Sequence, residues 1–146
     1  MSKPMVIRPY HESDEAAVLA LWQACRLIVP QNDPRKDIRR KLGVNPEWFL
    51  VGEVEGSLIA TCMAGYEGHR GWINYLAVSP STRRQGLARE IMAEAERLLR
   101  AAGCPKINLQ VRSTNLEVIR FYETIGFKVD EVTSMGKRLE VDQPGG

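Results

Sequence analysis

Between Trp72 and Val111 the chain reads as strand, helix, strand, and that order leaves few folds open. Trp72 to Val78 is apolar and β-prone. From Thr82 to about Ala102, Leu87, Ile91, Ala95 and Leu98 recur along one helical face, with Glu90, Glu94 and Arg97 along another. Gly103 and Pro105 end that helix, and Ile107 to Val111 is apolar on alternate positions. Two strands joined in this way run parallel through a right-handed crossover, and ligands favour their carboxyl ends. The link from Leu76 to Ala88, LAVSPSTRRQGLA, suits an anion. Ser79, Pro80, Ser81 and Thr82 end the strand, Arg83 and Arg84 bring positive charge, and Gly86 has no Cβ to hold a ligand off the backbone. With the free N–H groups and positive dipole end of a helix N-terminus, these parts can hold a pyrophosphate. The plainer reading of the same residues is a solvated basic first turn with Gly86 in a tight turn.

The flanking segments supply the other layers. Met5 to Arg8 is a short strand, and Pro9 makes it an edge or terminating one. A helix follows, capped by Ser13 or Asp14, with Val18, Leu21, Trp22 and Cys25 on one buried face before Pro30 closes the segment. Asn32, Asp33 and Pro34 read as cap and first turn of a second, short helix whose apolar pair is Ile38 and Leu42. Five basic residues between Asp33 and Lys41 give that helix a positive, solvated face. Trp48 to Val54 and Leu58 to Tyr66 flank Glu55-Gly56 as an antiparallel hairpin. The loop Glu67-Gly68-His69-Arg70-Gly71 is either a polar hairpin loop or a wall of an acceptor pocket. Ser113-Thr114-Asn115 opens a helix through Val118, Ile119, Phe121 and Tyr122, stopping at Gly126. Phe127 to Val132 and Ser134 to Leu139 pair as a final hairpin, and Asp142 to Gly146 is a tail expected to fray.

Composition narrows the function classes. A chain of 146 residues is expected to form one domain over 1–146. Its net charge of +2, from 20 basic and 18 acidic residues, sets up no field that would attract nucleic acid. The basic run Arg35 to Lys41 has neither a helix-turn-helix pattern nor aromatic stacking residues, so no nucleic-acid partner is expected. Cys25, Cys62 and Cys104 are an odd, widely spaced set without C-x-x-C, which argues against a disulfide framework and a zinc site and for a reduced, cytoplasmic setting without a metal. No signal peptide and no apolar run approaching ~20 residues is present, so no membrane partner is expected.

Three linked pieces resemble the GNAT superfamily of acyl-CoA-dependent N-acetyltransferases. Arg83, Gly86 and Ala88 meet the Q/R-x-x-G-x-G/A pyrophosphate loop after the strand Tyr75-Leu76-Ala77-Val78; Asn115 is the asparagine that opens the following helix; Phe121-Tyr122-Glu123 and Gly126-Phe127 meet F-Y-E-x-x-G-F. Asn32-Asp33-Pro34, the Gly65 to Gly71 loop, Gly103 to Ile107 and Gly136-Lys137-Arg138-Leu139 resemble more narrowly the small bacterial YpeA-type acetyltransferases. The resemblance implies an α/β (α+β) domain with a mixed, mostly antiparallel twisted sheet of about 6–7 strands, helices on both faces, and a splayed parallel strand pair holding CoA.

It also implies roles. Acetyl-CoA is the cosubstrate and an amine the acceptor. Backbone near Leu76, Ala77 and Val78 holds the pantetheine and thioester, as an added strand would. Backbone N–H groups from Arg83, Arg84, Gln85, Gly86, Leu87 and Ala88 bind the pyrophosphate. Asn115 and Phe121 line the cofactor site, and Tyr122 protonates the departing thiolate, a role suited to a phenol facing a thiol. Two positions depart from the pattern. Val118 stands where the family often has alanine, which narrows the cofactor channel. Gln110 stands where the ribosomal-protein N-terminal acetyltransferases have glutamate, and glutamine cannot accept a proton; Glu67 and His69 remain as candidate bases, acting through water. Cys104 reads as structural rather than as a nucleophile. The competing classes are a non-catalytic acyl-CoA sensor or adaptor and a protein-lysine acetyltransferase. A homodimer stays open beside a monomer.

Overall fold

Alternation along the central hairpin sorts the core into two layers. The computed structural model describes residues 3–142. Its sheet has five strands in the order β1-β2-β3-β4-β5: β1 Val6–Pro9, β2 Phe49–Val54, β3 Ser57–Tyr66, β4 Gly71–Val78 and β5 Ile107–Asn108. The first four are antiparallel neighbours and the last pair is parallel. Odd positions Phe49, Val51 and Met63 bury themselves with Val18, Leu21 and Trp22 of helix α1 (Glu15–Ala24) and Ile38 of α2 (Pro34–Leu42). Even positions Leu50, Ala60, Cys62 and Ala64 meet Leu87, Ile91, Ala95 and Leu99 of α3 (Leu87–Ala101) and Tyr122 of α4 (Leu116–Thr124). A strand alternates faces at every residue, so one sheet serves both layers and helices cover it on both sides.

Local chemistry sets most boundaries. Glu55 at φ 49° and Gly56 at φ 80° make the left-handed pair that a two-residue hairpin between β2 and β3 needs. Asp33 caps α2 by accepting from the Arg35 N–H at 2.9 Å, and Pro34 opens the helix. Asn115 caps α4 by accepting from the Val118 N–H at 3.3 Å; after it, the Phe127 N–H donates back to the Tyr122 carbonyl at 3.0 Å past left-handed Gly126. Asp14 precedes α1, but its carboxylate serves the His11 N–H at 2.8 Å and Arg8 at 2.8 and 2.9 Å.

Four expectations need correction. The long helix starts at Leu87 rather than Thr82, because Arg84 and Gly86 both take positive φ and break any earlier turn; 80–82 is a lone 3-10 turn. β5 stops at Asn108 instead of Val111, because β4 leaves it there. The final hairpin over Phe127 to Leu139 is absent among the described residues, so the sheet has five strands, not 6–7. Past Asn108 no paired edge is left for that segment to extend, and Val129, Val132, Met135 and Leu139 lie exposed without a facing layer. Side chains hold it instead: Lys106 to Asp130 at 2.9 Å, Gln110 to Ser134, and Arg138 to the Gln31 carbonyl at 3.0 Å. Asp142 does not fray: it is buried and accepts from Arg40 at 2.8 and 3.1 Å and from the Asp33 N–H at 2.9 Å. The rest of the expected tail, 143–146, lies outside the described residues. No helix among the described residues is long and apolar enough to cross a membrane.

Candidate functional site

β4 and β5 pair only at Gly71↔Ile107 and Trp72↔Asn108 and then part. The cause sits three residues further along β4. Thr61 faces Ala77 and Met63 faces Asn74, so two steps on β3 meet three on β4, a bulge that contains Tyr75 at φ 51°. A bulge bends its strand and sharpens its twist, which carries the carboxyl half of β4 away from β5. Positive φ is rare for so large a side chain, and here it is held from several sides. The Tyr75 ring stacks on Trp22 with centroids 3.9 Å apart, its hydroxyl donates to Asp37 at 2.6 Å, and its carbonyl accepts from the Thr61 hydroxyl at 2.8 Å. Leu76, Ala77 and Val78 follow directly on the bulge, Ala77 buried toward α1 and the other two at the edge of the α3 layer.

Arg83 to Ala88 form the loop beyond that strand end. Arg83, Arg84, Gln85 and Gly86 are exposed, whereas Leu87 is buried and pins the helix start to the core. Gly86 is the N-cap residue at φ 76°, with no atom within 4 Å of where a Cβ would lie, and no side chain caps the helix. The first helical hydrogen bond, Glu90 N–H to the Gly86 carbonyl at 3.1 Å, leaves the preceding N–H groups of α3 free of helical partners. Uncapped donors, a dipole end and two exposed guanidiniums fit a phosphate-bearing ligand.

Tyr122 reaches the same sheet from α4. It is 8 % exposed, against Phe121 and Phe127 with centroids 5.2 and 5.4 Å away. Burial raises its phenol above the ordinary value, and neighbouring Cys62 raises it further; burial likewise pushes the Cys62 thiol up to about 12. Tyr122 therefore stays protonated at neutral pH. A cleft of about 1600 Å³ between α3, β5, α4 and the C-terminal segment is lined by Tyr122, Trp72, Asn108 and Gln110 among others. None of Arg83 to Ala88 lines that cleft; they lie at the other end of α3 from Cys104, which does. The Asn108 Oδ1 is buried on the cleft wall without a partner. An orphaned buried acceptor where two strands part fits a ligand that brings N–H groups, as the amides of an acyl-CoA arm do.

Other candidates fall elsewhere. Glu67 and His69 are exposed in the loop before β4, at its amino end, and the Glu67 carboxylate accepts the N–H groups of His69 at 3.1 Å and Arg70 at 2.5 Å. Gln110 is exposed and donates to Ser134. Asn115 spends its oxygen on the α4 cap. Cys104 is half-buried, donates its thiol to the Lys106 carbonyl at 3.3 Å, and lies 2.8 Å from where a Gly71 Cβ would be, so its visible role is packing. Sequence reasoning placed Trp22 on the buried face of α1 and Tyr75 on β4 but gave neither of them, nor Thr61 or Asn108, a part in the site. Thr61, polar on the buried phase of an apolar strand, was the one available signal.

The sequence model of the acetyltransferase (GNAT) family matches residues 15–127. An acetyltransferase of Yersinia enterocolitica is 45% identical over 139 residues, 95% of this chain and 99% of that protein. Among solved structures, the aminoglycoside N-acetyltransferase AAC(6')-Iy in complex with CoA superposes with a TM-score of 0.74 at 17% identity, covering 95% of this chain and 97% of that one. The ribosomal-protein-S18-alanine N-acetyltransferase from Escherichia coli superposes with a TM-score of 0.71 at 22% identity, covering 86% and 78%. At these identities the two structures establish a shared fold.

Proposed function

Because this chain belongs to the acetyltransferase (GNAT) family, we propose that it moves an acetyl group from acetyl-CoA to a primary amine by direct attack in a ternary complex. The observation that carries the reading is the gap that opens between β4 and β5 beyond Trp72 and Asn108, with protonated Tyr122 lining the adjoining cleft. The amine nitrogen bonds to the acetyl carbon and sheds its surplus proton to water, the carbon–sulfur bond breaks, and the leaving thiolate takes its proton from Tyr122, which water reprotonates. Backbone of Leu76, Ala77 and Val78 holds the acyl end, and a β4 N–H faces the charge that develops on the acyl oxygen. The N–H groups from Arg83 to Ala88 take the pyrophosphate, and Asn115 and Phe121 flank the cofactor from α4. No side chain is asked to form a covalent bond.

The base is the weakest part of the constellation. From Gly71 to Leu76 the strand rises roughly 17 Å, so Glu67 and His69 act at most through a relay of water. The acceptor amine then has to arrive neutral, which favours an α-amine or a small weakly basic amine over a protein lysine. The aminoglycoside and ribosomal-protein enzymes of the same fold both act on amines by name, which supports the amine class without choosing within it. We further place the chain, as one domain over residues 1–146, with the small bacterial YpeA-type enzymes of the reduced cytoplasm.

Release of free CoA thiol from acetyl-CoA, followed with a panel of primary amines, tests the reading. Amine-dependent release is expected. Tight acetyl-CoA binding with no release on any amine would favour a sensor or adaptor, and absence of both would overturn the assignment.

A further inference from the structure

We propose that Thr61, with Trp22 behind it, is a positioning residue for the transfer site: by holding the Tyr75 carbonyl it aims the Leu76 N–H into the gap between β4 and β5. The inference rests on the acetyl-transfer reading. Thr61 and Trp22 are both fully buried, at 0% exposure, in the layer between α1 and the sheet. The Trp22 indole N–H donates to the Thr61 hydroxyl oxygen at 2.9 Å. An indole can only donate, so the Thr61 hydroxyl accepts there and sends its own hydrogen to the Tyr75 carbonyl at 2.8 Å.

That one bond orients two groups. The peptide between Tyr75 and Leu76 is trans and planar, so its C=O and N–H point in opposite directions. With the carbonyl turned toward the Thr61 hydroxyl in the α1 layer, the Leu76 N–H points away from that layer and, on this proposal, lies at the gap that β5 leaves beyond Asn108. In an unbulged strand the amides alternate between neighbours and meet a ladder partner. Here Tyr75 and Leu76 have no partner in the β3–β4 register, and the clamp fixes the direction of the peptide between them. Asp37 and the Trp22 ring hold the Tyr75 side chain, whereas Thr61 alone of these contacts grips the backbone. An N–H so fixed stabilises negative charge on an acyl oxygen without reorganising during the reaction.

Thr61→Val keeps the volume and removes the hydroxyl; Thr61→Ser keeps the hydroxyl. Expected for Thr61→Val is a fall in kcat of roughly 10- to 100-fold with the KM for acetyl-CoA moved less than roughly 3-fold, the pattern of a displaced transition-state donor. Thr61→Ser should recover kcat to within roughly 3-fold of the parent, since the hydroxyl is what grips the backbone. Amide resonances of Leu76 and its neighbours should move in Thr61→Val and return in Thr61→Ser. Equal kcat in the two variants, or parallel losses of kcat, affinity and melting temperature in both, overturns the proposal. If Thr61→Val does not fold, Trp22→Phe takes its place: it removes the donor behind Thr61, and an unchanged kcat with unmoved Leu76 resonances is then the contradicting result. Should the parent protein transfer no acetyl group, the functional reading fails, and an unmoved Leu76 amide in Thr61→Val separately sinks the clamp.

Discussion

Tyr122, the proposed acid, has a role that a single substitution can isolate. Its phenol is buried and held above its usual pKa, so it keeps its proton near neutrality. Tyr122→Phe keeps the ring against Phe121 and Phe127 and removes one proton. A kcat loss of roughly 10²-fold is expected, with acetyl-CoA affinity almost unmoved. Equal losses in both would mean a packing role. Because the shift is upward, this acid is lost only above the ordinary phenol range, so no alkaline fall in kcat below about pH 10 is expected from it. Tyr122, Gly86 and Asn115 were readable as single residues because short motifs with fixed spacing mark them. Thr61 was marked only as a polar residue on the buried phase of β3, since nothing within β3 announces that its hydroxyl meets a carbonyl on the next strand.

Among the elements, the C-terminal segment has an attachment that can be titrated. Hydrogen bonds from Arg40, then the Asp33 N–H, hold the Asp142 carboxyl well below the usual carboxylate range. A depressed folded pKa means that the attachment is at full strength above the unfolded carboxylate value of about 3.9 and weakens as pH falls below it. Amide resonances across 128–142 and of Asp33 should therefore shift on acidification below about pH 4, and Asp142→Asn should shift them at pH 7. Unmoved resonances across 128–142 in Asp142→Asn would show that Arg138, Lys106 and Gln110 hold the segment without it. The same segment shows where element reading stops. Glu55-Gly56 fixed the β2–β3 turn through its own backbone preference, a local property. The expected hairpin over 127–139 depended on an edge that β5 does not offer, because the bulge at Tyr75, with no glycine or proline to mark it, had already turned β4 away.

At the scale of the whole molecule the sheet does two jobs: one layer packs α1 and α2 behind the bulge, the other packs α3 and α4 beside the gap. The two-layer division and the parallel crossover follow from periodicity, so the fold was legible apart from its last strands. The places of the loop at the start of α3 and of Tyr122 on α4 were legible, but not how the gap is made, since that depends on register between β3 and β4. The missing base sets the substrate prediction. At pH 7 an α-amine is roughly 14% neutral and a lysine roughly 0.04%, a gap of roughly 350-fold in attacking species. Matched peptides, one with a free N-terminus and one with only a free lysine, should differ in kcat/KM in favour of the α-amine, though the lysine's greater nucleophilicity narrows the gap. A preference for lysine would mean that Glu67, His69 or another group is an effective base.

Backbone amide resonances, followed while acetyl-CoA is added, test most directly whether the gap between β4 and β5 is the acyl-CoA site. Shifts should concentrate on Leu76 to Val78, on Arg83 to Ala88, and on Asn108, and Gly86→Glu, which puts bulk and negative charge at the start of α3, should abolish them while leaving the remaining spectrum folded. Saturable binding whose shifts spare these residues, or that survives Gly86→Glu unchanged, would contradict it.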